Sequence, residues 1–300
     1  MRTLQIGTAF LPVKDYHCAD ASGEYIPKDR LKLWLYINLT NRCNARCPFC
    51  VNPAVERETH TVSPALLRRT LTTIKDHICG VSITGGEPML YPHLVDKTAE
   101  LVTALLGPEL PLELVTNGTF LKETAALGSF DRFSGIHISR HCTENADNAA
   151  LMRAETPTWS RLCEFLTEVP DPGKITLNCV LQTGGVENPD DARAYLERAA
   201  WAGIKNVSFV GMFPANPYCR EHYISPKALA LAEDDRFSIW TEQHDYDFCS
   251  CSGGDYRSKY GYIRFYYRCP GTGSPAWVRQ LVYHHDDRLL AGFGGKDIPL

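Results

Sequence analysis

The chain alternates short apolar runs with helical stretches along most of its length. Apolar runs of strand length occupy residues 33–39, 81–84, 112–116, 135–139, 175–182 and 206–212. Stretches with helical character lie between them, at residues 64–76, 92–106, 121–127, 158–168 and 189–202. Two of these begin with an N-cap residue followed by proline, at Ser63 and Asn188. Regular alternation predicts an α/β fold whose parallel strands are joined by right-handed crossovers, as an open sheet or as a barrel.

The alternation stops after residue 212. Pro214, Pro217 and Pro226 interrupt the chain, and two β-like runs follow at residues 262–267 and 277–283. We therefore expect an N-terminal extension over residues 1–32, a core over residues 33–214, and a small β-rich C-terminal extension over residues 215–300. A core of this length is long enough to bury a substantial apolar interior.

Composition and charge exclude several classes of protein. The net charge of -4 predicts no general binding to nucleic acid or to anionic membranes. The longest apolar run, residues 31–39, is too short to span a bilayer, and the N-terminus lacks the apolar core of a signal peptide. We predict a cytoplasmic protein with no membrane partner. In that setting the 12 cysteines are metal ligands, redox groups or buried apolar residues rather than a disulfide framework.

Three cysteines follow the first predicted strand at C-x3-C-x2-C spacing: Cys43, Cys47 and Cys50. Three thiolates on one loop can hold three irons of a [4Fe–4S] cluster, whereas electron-transfer clusters use four. The fourth iron would then be open for chemistry. The alternative is a non-enzymatic zinc or iron–sulfur protein. Tetrahedral zinc needs a fourth ligand, and the nearest later candidate, His60, lies outside the usual compact spacing.

Polar or glycine-rich segments also follow the next three predicted strands. They are Gly85-Gly86-Glu87-Pro88, Thr116-Asn117-Gly118 and Ser139-Arg140-His141-Cys142. Ligands of parallel α/β folds gather at the carboxyl ends of the strands. Two glycines allow a backbone to approach a ligand closely, and a carboxylate accepts hydrogen bonds from an ammonium group. These segments predict a ligand site at that end of the sheet.

Together these motifs resemble the radical S-adenosylmethionine (SAM) superfamily over roughly residues 33–214. They are similar to the branch that contains the molybdenum-cofactor enzyme cyclising GTP. The resemblance implies a partial (β/α)6 TIM-like barrel in which Cys43, Cys47 and Cys50 bind a [4Fe–4S] cluster. It further implies that Phe49 lies against the adenine of SAM and that residues 85–88 contact its methionyl amino group. The full set of predicted SAM contacts is Phe49, Gly85, Gly86, Glu87, Pro88, Thr116, Asn117, Ser139 and Asn178.

Strands four and five each carry a row of polar residues on one face. His137, Ser139 and His141 share a face of strand four, and Asn178 lies in an alternating polar row of strand five. Polar residues inside a barrel need a ligand or a partner. Ser139 matches the serine of the V-S-L-D pattern common in the GTP-cyclising branch, whereas His141 replaces its acidic residue. We therefore predict His137 and His141 as substrate contacts.

The resemblance implies one-electron reduction of the cluster by a small reductant such as flavodoxin or ferredoxin. SAM is then cleaved to methionine and a 5′-deoxyadenosyl radical, which takes a hydrogen atom from a small-molecule substrate. Arg257, Arg264 and Arg268 of the C-terminal extension either belong to a solvated β surface or form part of a lid that holds a phosphate or carboxylate of the substrate, groups that arginine suits. The second interpretation predicts a small polar, anionic, nucleotide- or sugar-like substrate. A peptide substrate is the alternative within the family. The motifs leave the net reaction open.

The remaining notable cysteines have two interpretations each. Cys219, Cys249, Cys251 and Cys269 would hold a second iron–sulfur cluster, or are free or paired thiols of a substrate lid. Their spacing differs from the C-x2-C-x13-C of the GTP-cyclising enzyme. Cys142 is a candidate hydrogen donor to a product radical, or an ordinary loop cysteine.

Overall fold

A parallel sheet forms the centre of the protein. The computed structural model describes residues 2–13, 32–52, 59–225, 229, 237–239, 252–268, 278 and 280–300. An N-terminal hairpin comprises β1 (Arg2–Ile6) and β2 (Ala9–Val13). The six central strands are β3 (Leu33–Asn38), β4 (Ile78–Thr84), β5 (Leu112–Thr116), β6 (Gly135–Ser139), β7 (Ile175–Leu181) and β8 (Asn206–Gly211).

Helices connect these strands in the predicted alternation. They are α1 (Pro64–Ile74), α2 (Pro92–Leu106), α3 (Leu121–Ala125), α4 (Asn145–Met152), α5 (Trp159–Glu168), α6 (Pro189–Trp201) and α7 (Pro217–Glu221). Both predicted N-caps are present. The Ser63 side chain accepts from the amide of Leu66, and the Asn188 side chain accepts from the amide of Asp191. The α/β class is thus confirmed, as are the six predicted core strands and the five predicted helices; α4 and α7 were not predicted.

The C-terminal strands extend the same sheet at both of its edges. They are β9 (Phe237–Ile239), β10 (Ser252–Ser258), β11 (Gly261–Arg268), β12 (Gln280–Tyr283) and β13 (Leu289–Leu290). The strand order is β13-β12-β3-β4-β5-β6-β7-β8-β11-β10-β9. Strand β12 pairs in parallel with β3, and β11 pairs in parallel with β8. The β-rich extension is therefore continuous with the core sheet, and a division into domains at residue 214 stays a prediction.

The two faces of the central sheet differ in polarity. One face is apolar and fully buried in the main core, as Leu35, Ile83 and Leu177 show with 0% exposure. The opposite, inner face carries Glu113 and Asn178, which are only partly buried. Alternation along each strand separates these two sets. Six parallel strands with helices on the outer face and a polar inner face form the predicted partial (β/α)6 barrel.

Phe293 links the first and last strands of this core. Its ring lies 5.1 Å from that of Tyr36 on β3 and 6.5 Å from that of Phe213, which follows β8. Gly292 and Gly294 flank it with φ of +94° and +67°, a backbone region that glycine adopts readily. A tight C-terminal turn therefore lies between the two ends of the six-stranded core.

Candidate active site

The cysteine loop, residues 43–50, follows β3 and is held by three other parts of the chain. Before the loop, the amide of Gly86 donates to the Thr40 carbonyl over 2.7 Å. Within it, the Arg46 amide donates to the carbonyl of Met152 at the end of α4, over 2.9 Å. The Asn216 side chain, at the start of α7, donates to the Pro48 carbonyl over 3.0 Å. These contacts fix the path of the loop across the carboxyl ends of the strands.

The glycine turn, residues 85–88, packs directly against the chain that enters the cysteine loop. Gly85 has a φ of +129°, and a Cβ there would lie 2.7 Å from the Thr40 carbonyl oxygen. A Cβ on Gly86 would overlap the carbonyl oxygen of Arg42. The sequence interpretation assigned these glycines to the approach of a ligand. In the structure, the backbone of residues 40–42 occupies the space where side chains at Gly85 and Gly86 would lie. The two glycines are therefore required by this close backbone packing.

Glu87 joins the glycine turn to the asparagine turn, residues 116–118, after β5. Its Oε1 accepts from the Met89 amide over 2.9 Å and from the Thr116 hydroxyl over 2.7 Å, and its Oε2 accepts from the Asn117 amide over 2.7 Å. Burial raises the pKa of this carboxyl group to about 7, against the effect of these hydrogen bonds. A carboxylate has about four acceptor positions, so one remains for the predicted SAM ammonium group. That contact stays a prediction.

Asn117 completes the connection between the three motifs. Its side-chain nitrogen donates to Asn44 Oδ1 within the cysteine loop over 2.7 Å. Its side-chain oxygen accepts from the amide and hydroxyl of Thr119. The amide orientation of Asn117 is fixed by bonds at both ends. The cysteine loop, the glycine turn and the asparagine turn therefore form one hydrogen-bonded unit.

The three thiols of the loop are half-buried and close enough to influence each other. Burial raises the pKa of Cys43 to about 11 and that of Cys47 to about 12, and neighbouring thiols add to both effects. The Cys50 thiol donates to the Asn52 carbonyl over 3.1 Å. Across the described ranges, no three His, Cys, Asp or Glu side chains already converge on one metal position. As a donor set on one fixed loop, the three thiols fit a [4Fe–4S] cluster, whose irons would favour their thiolate forms.

The Phe49 side chain is buried against other residues of the protein rather than exposed at the surface. Its ring meets that of His141 edge-on at 4.9 Å, and its side chain also contacts Met212 and Cys219. His141 Nδ1 accepts a hydrogen bond from the amide of Val180 over 3.0 Å, so this nitrogen carries no proton. Burial, with a smaller effect of Arg140, lowers the pKa of His141 to about 3. His141 thus supports Phe49, and the predicted adenine and substrate contacts of these two residues stay predictions.

A polar row crosses five strands on the inner face, and it includes the predicted His137 and Asn178. The Trp34 indole donates to Ser82 Oγ over 2.8 Å, and Ser82 donates to Glu113 Oε2 over 3.1 Å. Glu113 Oε1 lies 3.4 Å from His137 Nε2, and His137 Nδ1 lies 3.1 Å from Asn178 Oδ1. Each member comes from the next strand, so the inner wall carries a continuous polar band from β3 to β7.

At the β7 and β8 end of the polar band, a buried polar side chain has no hydrogen-bond partner among the described residues. Ser139 and Ser208 are the register partners of Asn178 on β6 and β8. Ser208 is 0% exposed, and its hydroxyl has no hydrogen-bond partner among the residues that the structure describes. A buried hydroxyl without a partner costs stability unless a ligand or water satisfies it.

Two of the three predicted arginines, Arg257 and Arg264, lie away from the cysteine loop. Arg264 is half-exposed and lies 3.5 Å from Asp255, and it is the register partner of Asn206 at the amino end of β8. Arg257 lines a cavity on the outer side of α6. Because β11 runs parallel to β8, its first residues lie at the end of the sheet opposite the loop. For Arg268 the structure describes the backbone of β11 and not the side chain.

The structure describes two of the other predicted cysteines, Cys219 and Cys142. Cys219 is fully buried beside the cysteine loop, where its thiol donates to the Phe49 carbonyl over 3.6 Å. Cys249, Cys251 and Cys269 lie outside the described residues, so the second cluster stays a prediction. Cys142 is buried and donates to the Gly184 carbonyl over 3.9 Å.

The sequence interpretation missed residues that act through side-chain hydrogen bonds. Asn44 and Asn216 hold the cysteine loop, and Ser82 and Glu113 belong to the polar band. One signal was available for the band. Glu113 is a charged residue between apolar neighbours of a short strand, a pattern that marks a polar inner face.

Comparison with known proteins gives a family match for the segment that contains the cysteine loop. Residues 37–169, from β3 through α5, match the Radical SAM superfamily. This segment of the chain is similar to radical SAM domains. Proteins of this family use a [4Fe–4S] cluster and SAM, so the recognition made from the motifs is confirmed. No helix in the described part of the chain is long and apolar enough to cross a membrane.

Several relatives of this chain are named GTP 3′,8-cyclase. GTP 3′,8-cyclase of Mycobacterium marinum is 33% identical over 130 residues, 41% of this chain and 35% of that protein. A probable GTP 3′,8-cyclase of Methanosarcina acetivorans is 24% identical over 226 residues, 73% of this chain and 66% of that protein. The chain thus spans between one third and two thirds of these relatives. SuiB of Streptococcus suis bound to SAM superposes with a TM-score of 0.49 at 18% identity, over 63% of this chain and 43% of that one.

Proposed function

We propose that the protein is a radical SAM enzyme, with a [4Fe–4S] cluster held by Cys43, Cys47 and Cys50. The observation that carries the proposal is the hydrogen-bonded unit of the three motifs. Glu87 N donates to the Arg42 carbonyl over 2.8 Å, and Asn117 donates to Asn44 over 2.7 Å. Segments distant in sequence are thereby fixed around one loop that carries three thiols.

The cluster and SAM would together supply one-electron cleavage of SAM and a 5′-deoxyadenosyl radical that takes hydrogen from the substrate. The protein's own contribution is to hold these groups and exclude water. Cys43, Cys47 and Cys50 would bind three irons and leave the fourth to SAM. The free acceptor position of Glu87 would face the SAM ammonium group. A small one-electron reductant, such as a flavodoxin or ferredoxin, would supply the electron.

The inner wall favours a small polar substrate with hydroxyl or amino groups. In the described strands β3 to β8, the inner face carries Glu113 and His137 but no lysine or arginine. A nucleotide- or sugar-like compound would place its hydrogen-bonding groups along the polar band. Arg257 and Arg264 lie away from the inner wall, so they give no support to the prediction that the substrate is anionic. GTP is the first compound to assay, because relatives are named GTP 3′,8-cyclases.

Anaerobic reconstitution with iron and sulfide tests the proposal. The loaded chain, given dithionite and SAM, is expected to release 5′-deoxyadenosine, and the Cys43→Ala/Cys47→Ala/Cys50→Ala variant is expected to release none. Cys163→Ala, a half-buried cysteine of α5, is the matched control and should retain the activity. A colourless chain that holds one zinc ion and leaves SAM intact would contradict the proposal.

The same triple variant tests the predicted second cluster. Iron that remains bound to the variant after reconstitution would have to be held by other ligands, and Cys219, Cys249, Cys251 and Cys269 are the candidates. No residual iron would exclude a second cluster.

A further inference from the structure

A cavity of about 690 Å³ lies on the outer side of α6, apart from the cysteine loop and the inner wall. Its volume falls within the range of small-molecule sites, roughly 300–1,000 Å³. Its walls come from α6, from the end of β10 and the turn that joins it to β11 (the β10–β11 hairpin), and from the residues that precede α4. The charged and aromatic residues that α6 and the β10–β11 hairpin contribute to the lining are Glu197, Arg198, Trp201, Arg257, Lys259 and Tyr260.

The two main walls of the cavity are bonded to each other. Glu197 on α6 accepts from the Tyr256 hydroxyl over 2.6 Å and from the Ser258 hydroxyl over 2.8 Å. Each oxygen of the carboxylate thus has a partner on the hairpin. These two bonds hold the hairpin against the helix and set the positions from which Arg257 and Lys259 extend.

Three cations line the cavity without carboxylate partners. In the part of the chain that the structure describes, no Asp or Glu oxygen lies within ion-pair distance of Arg198, Arg257 or Lys259. Arg198 instead lies 5.1 Å from the ring centre of Trp201, and Lys259 lies 5.0 Å from that of Tyr260. Glu144 is the other carboxylate of the lining, so the cations outnumber the carboxylates. An anion in the cavity would relieve the repulsion among these cations.

Two aromatic rings beside the cations remain open to solvent. Trp201 is 39% exposed and Tyr260 is 46% exposed, although both line the cavity. Partly exposed aromatic rings beside a guanidinium and an ammonium group suit a ligand that joins a flat ring to a phosphate.

We propose that this outer cavity binds a phosphate-bearing ligand with a planar ring, which is the chemistry of a nucleotide. Arg257 and Lys259 hold the phosphate, and Trp201 or Tyr260 contacts the ring. The site is separate from the proposed SAM chemistry, because none of its residues belongs to the cysteine loop or to the polar band.

Titration of the full chain with AMP tests the proposal, with calorimetry and intrinsic tryptophan fluorescence as readouts. We expect saturable binding and a fluorescence change that is lost in Trp201→Phe. The Arg257→Ala/Lys259→Ala variant should bind at least about tenfold more weakly, since it lacks the charge-assisted bonds to phosphate. Adenosine, which lacks the phosphate, should show a comparable loss.

Arg264→Ala is the matched control, because Arg264 is an exposed arginine of the same hairpin outside the cavity. It should bind AMP as the parent chain does. Absence of AMP binding at millimolar concentration, or equal affinity in the parent and the double variant, would overturn the proposal. A chain that binds AMP here yet leaves SAM intact would refute only the proposed enzyme function.

Discussion

The side chain of Asn117 donates a hydrogen bond to Asn44 Oδ1 over 2.7 Å, which ties the turn after β5 to the middle of the cysteine loop. Removal of this bond in Asn44→Ala should loosen the loop. We expect faster loss of iron to a chelator from the reconstituted chain, and a lower free energy of unfolding by about 1 kcal/mol.

A double-mutant cycle checks that the effect comes from this bond. Asn44→Ala combined with Asn117→Ala should release iron little faster than either single variant, because both remove the same interaction. Additive effects of the two substitutions would show that the bond does not hold the loop.

Gly86 is the position where the glycine turn leaves no room for a side chain. In Gly86→Ala the new methyl group would overlap the Arg42 carbonyl oxygen, and the cysteine loop would have to move. We expect a loss of about 1–3 kcal/mol in urea unfolding, together with fewer irons bound per chain. Gly128→Ala is the control, since a Cβ at that position would lie 3.7 Å from Asp96 Oδ2, an ordinary van der Waals distance. Equal stability of the two variants would contradict the packing described.

His141 predicts acid sensitivity of the cluster-free chain. Burial lowers its pKa to about 3 in the folded state, from an ordinary value of 6.5. The unfolded chain therefore binds the proton first, and stability falls as the pH drops below about 6.5. This residue should account for a loss of about 2 kcal/mol between pH 7 and pH 5. His141→Asn keeps an acceptor for the Val180 amide and does not titrate, so its unfolding free energy should fall less over that interval. Parallel pH curves for the two proteins would refute the assignment.

Ser82 is the link between Trp34 and Glu113 in the polar band. Ser82→Ala leaves the Trp34 indole nitrogen without its acceptor, 2.8 Å away in the parent, and should cost about 1–3 kcal/mol. Trp34→Phe removes the indole N–H that Ser82→Ala leaves without an acceptor. Trp34→Phe should therefore lower the free energy of unfolding less in the Ser82→Ala background than in the parent protein. Denaturant unfolding of the four proteins measures this coupling, and strict additivity would argue against the band.

Local sequence patterns were sufficient for the central sheet. The observed β5 and β6 have the predicted bounds, as does α2, because alternation, proline at helix starts and glycine at turns are all short-range signals. The sequence predicts the C-terminal strands as a separate β-rich extension, yet β11 and β12 join the edges of the central sheet. The paired residues are 58 positions apart for β11 with β8 and 246 positions apart for β12 with β3, and pairing over such separations leaves no local pattern in the sequence.

The candidate site was likewise predictable from the sequence only in part. Spacing was enough to select Cys43, Cys47 and Cys50 and the two turns that contact their loop. The neighbour of Gly86 is a carbonyl group of Arg42, which no residue type reveals. Arg257 was selected for its charge, but its location at the outer cavity depends on the parallel pairing of β11 with β8.

Electron paramagnetic resonance of the reconstituted, dithionite-reduced chain tests the central claim most directly. The spectrum is recorded before and after addition of SAM. Three thiolate ligands and one open iron predict a [4Fe–4S] signal whose g-values shift when SAM binds. A cluster signal that SAM leaves unchanged, or one that persists unaltered in the Cys43→Ala/Cys47→Ala/Cys50→Ala variant, would contradict the assignment of this loop.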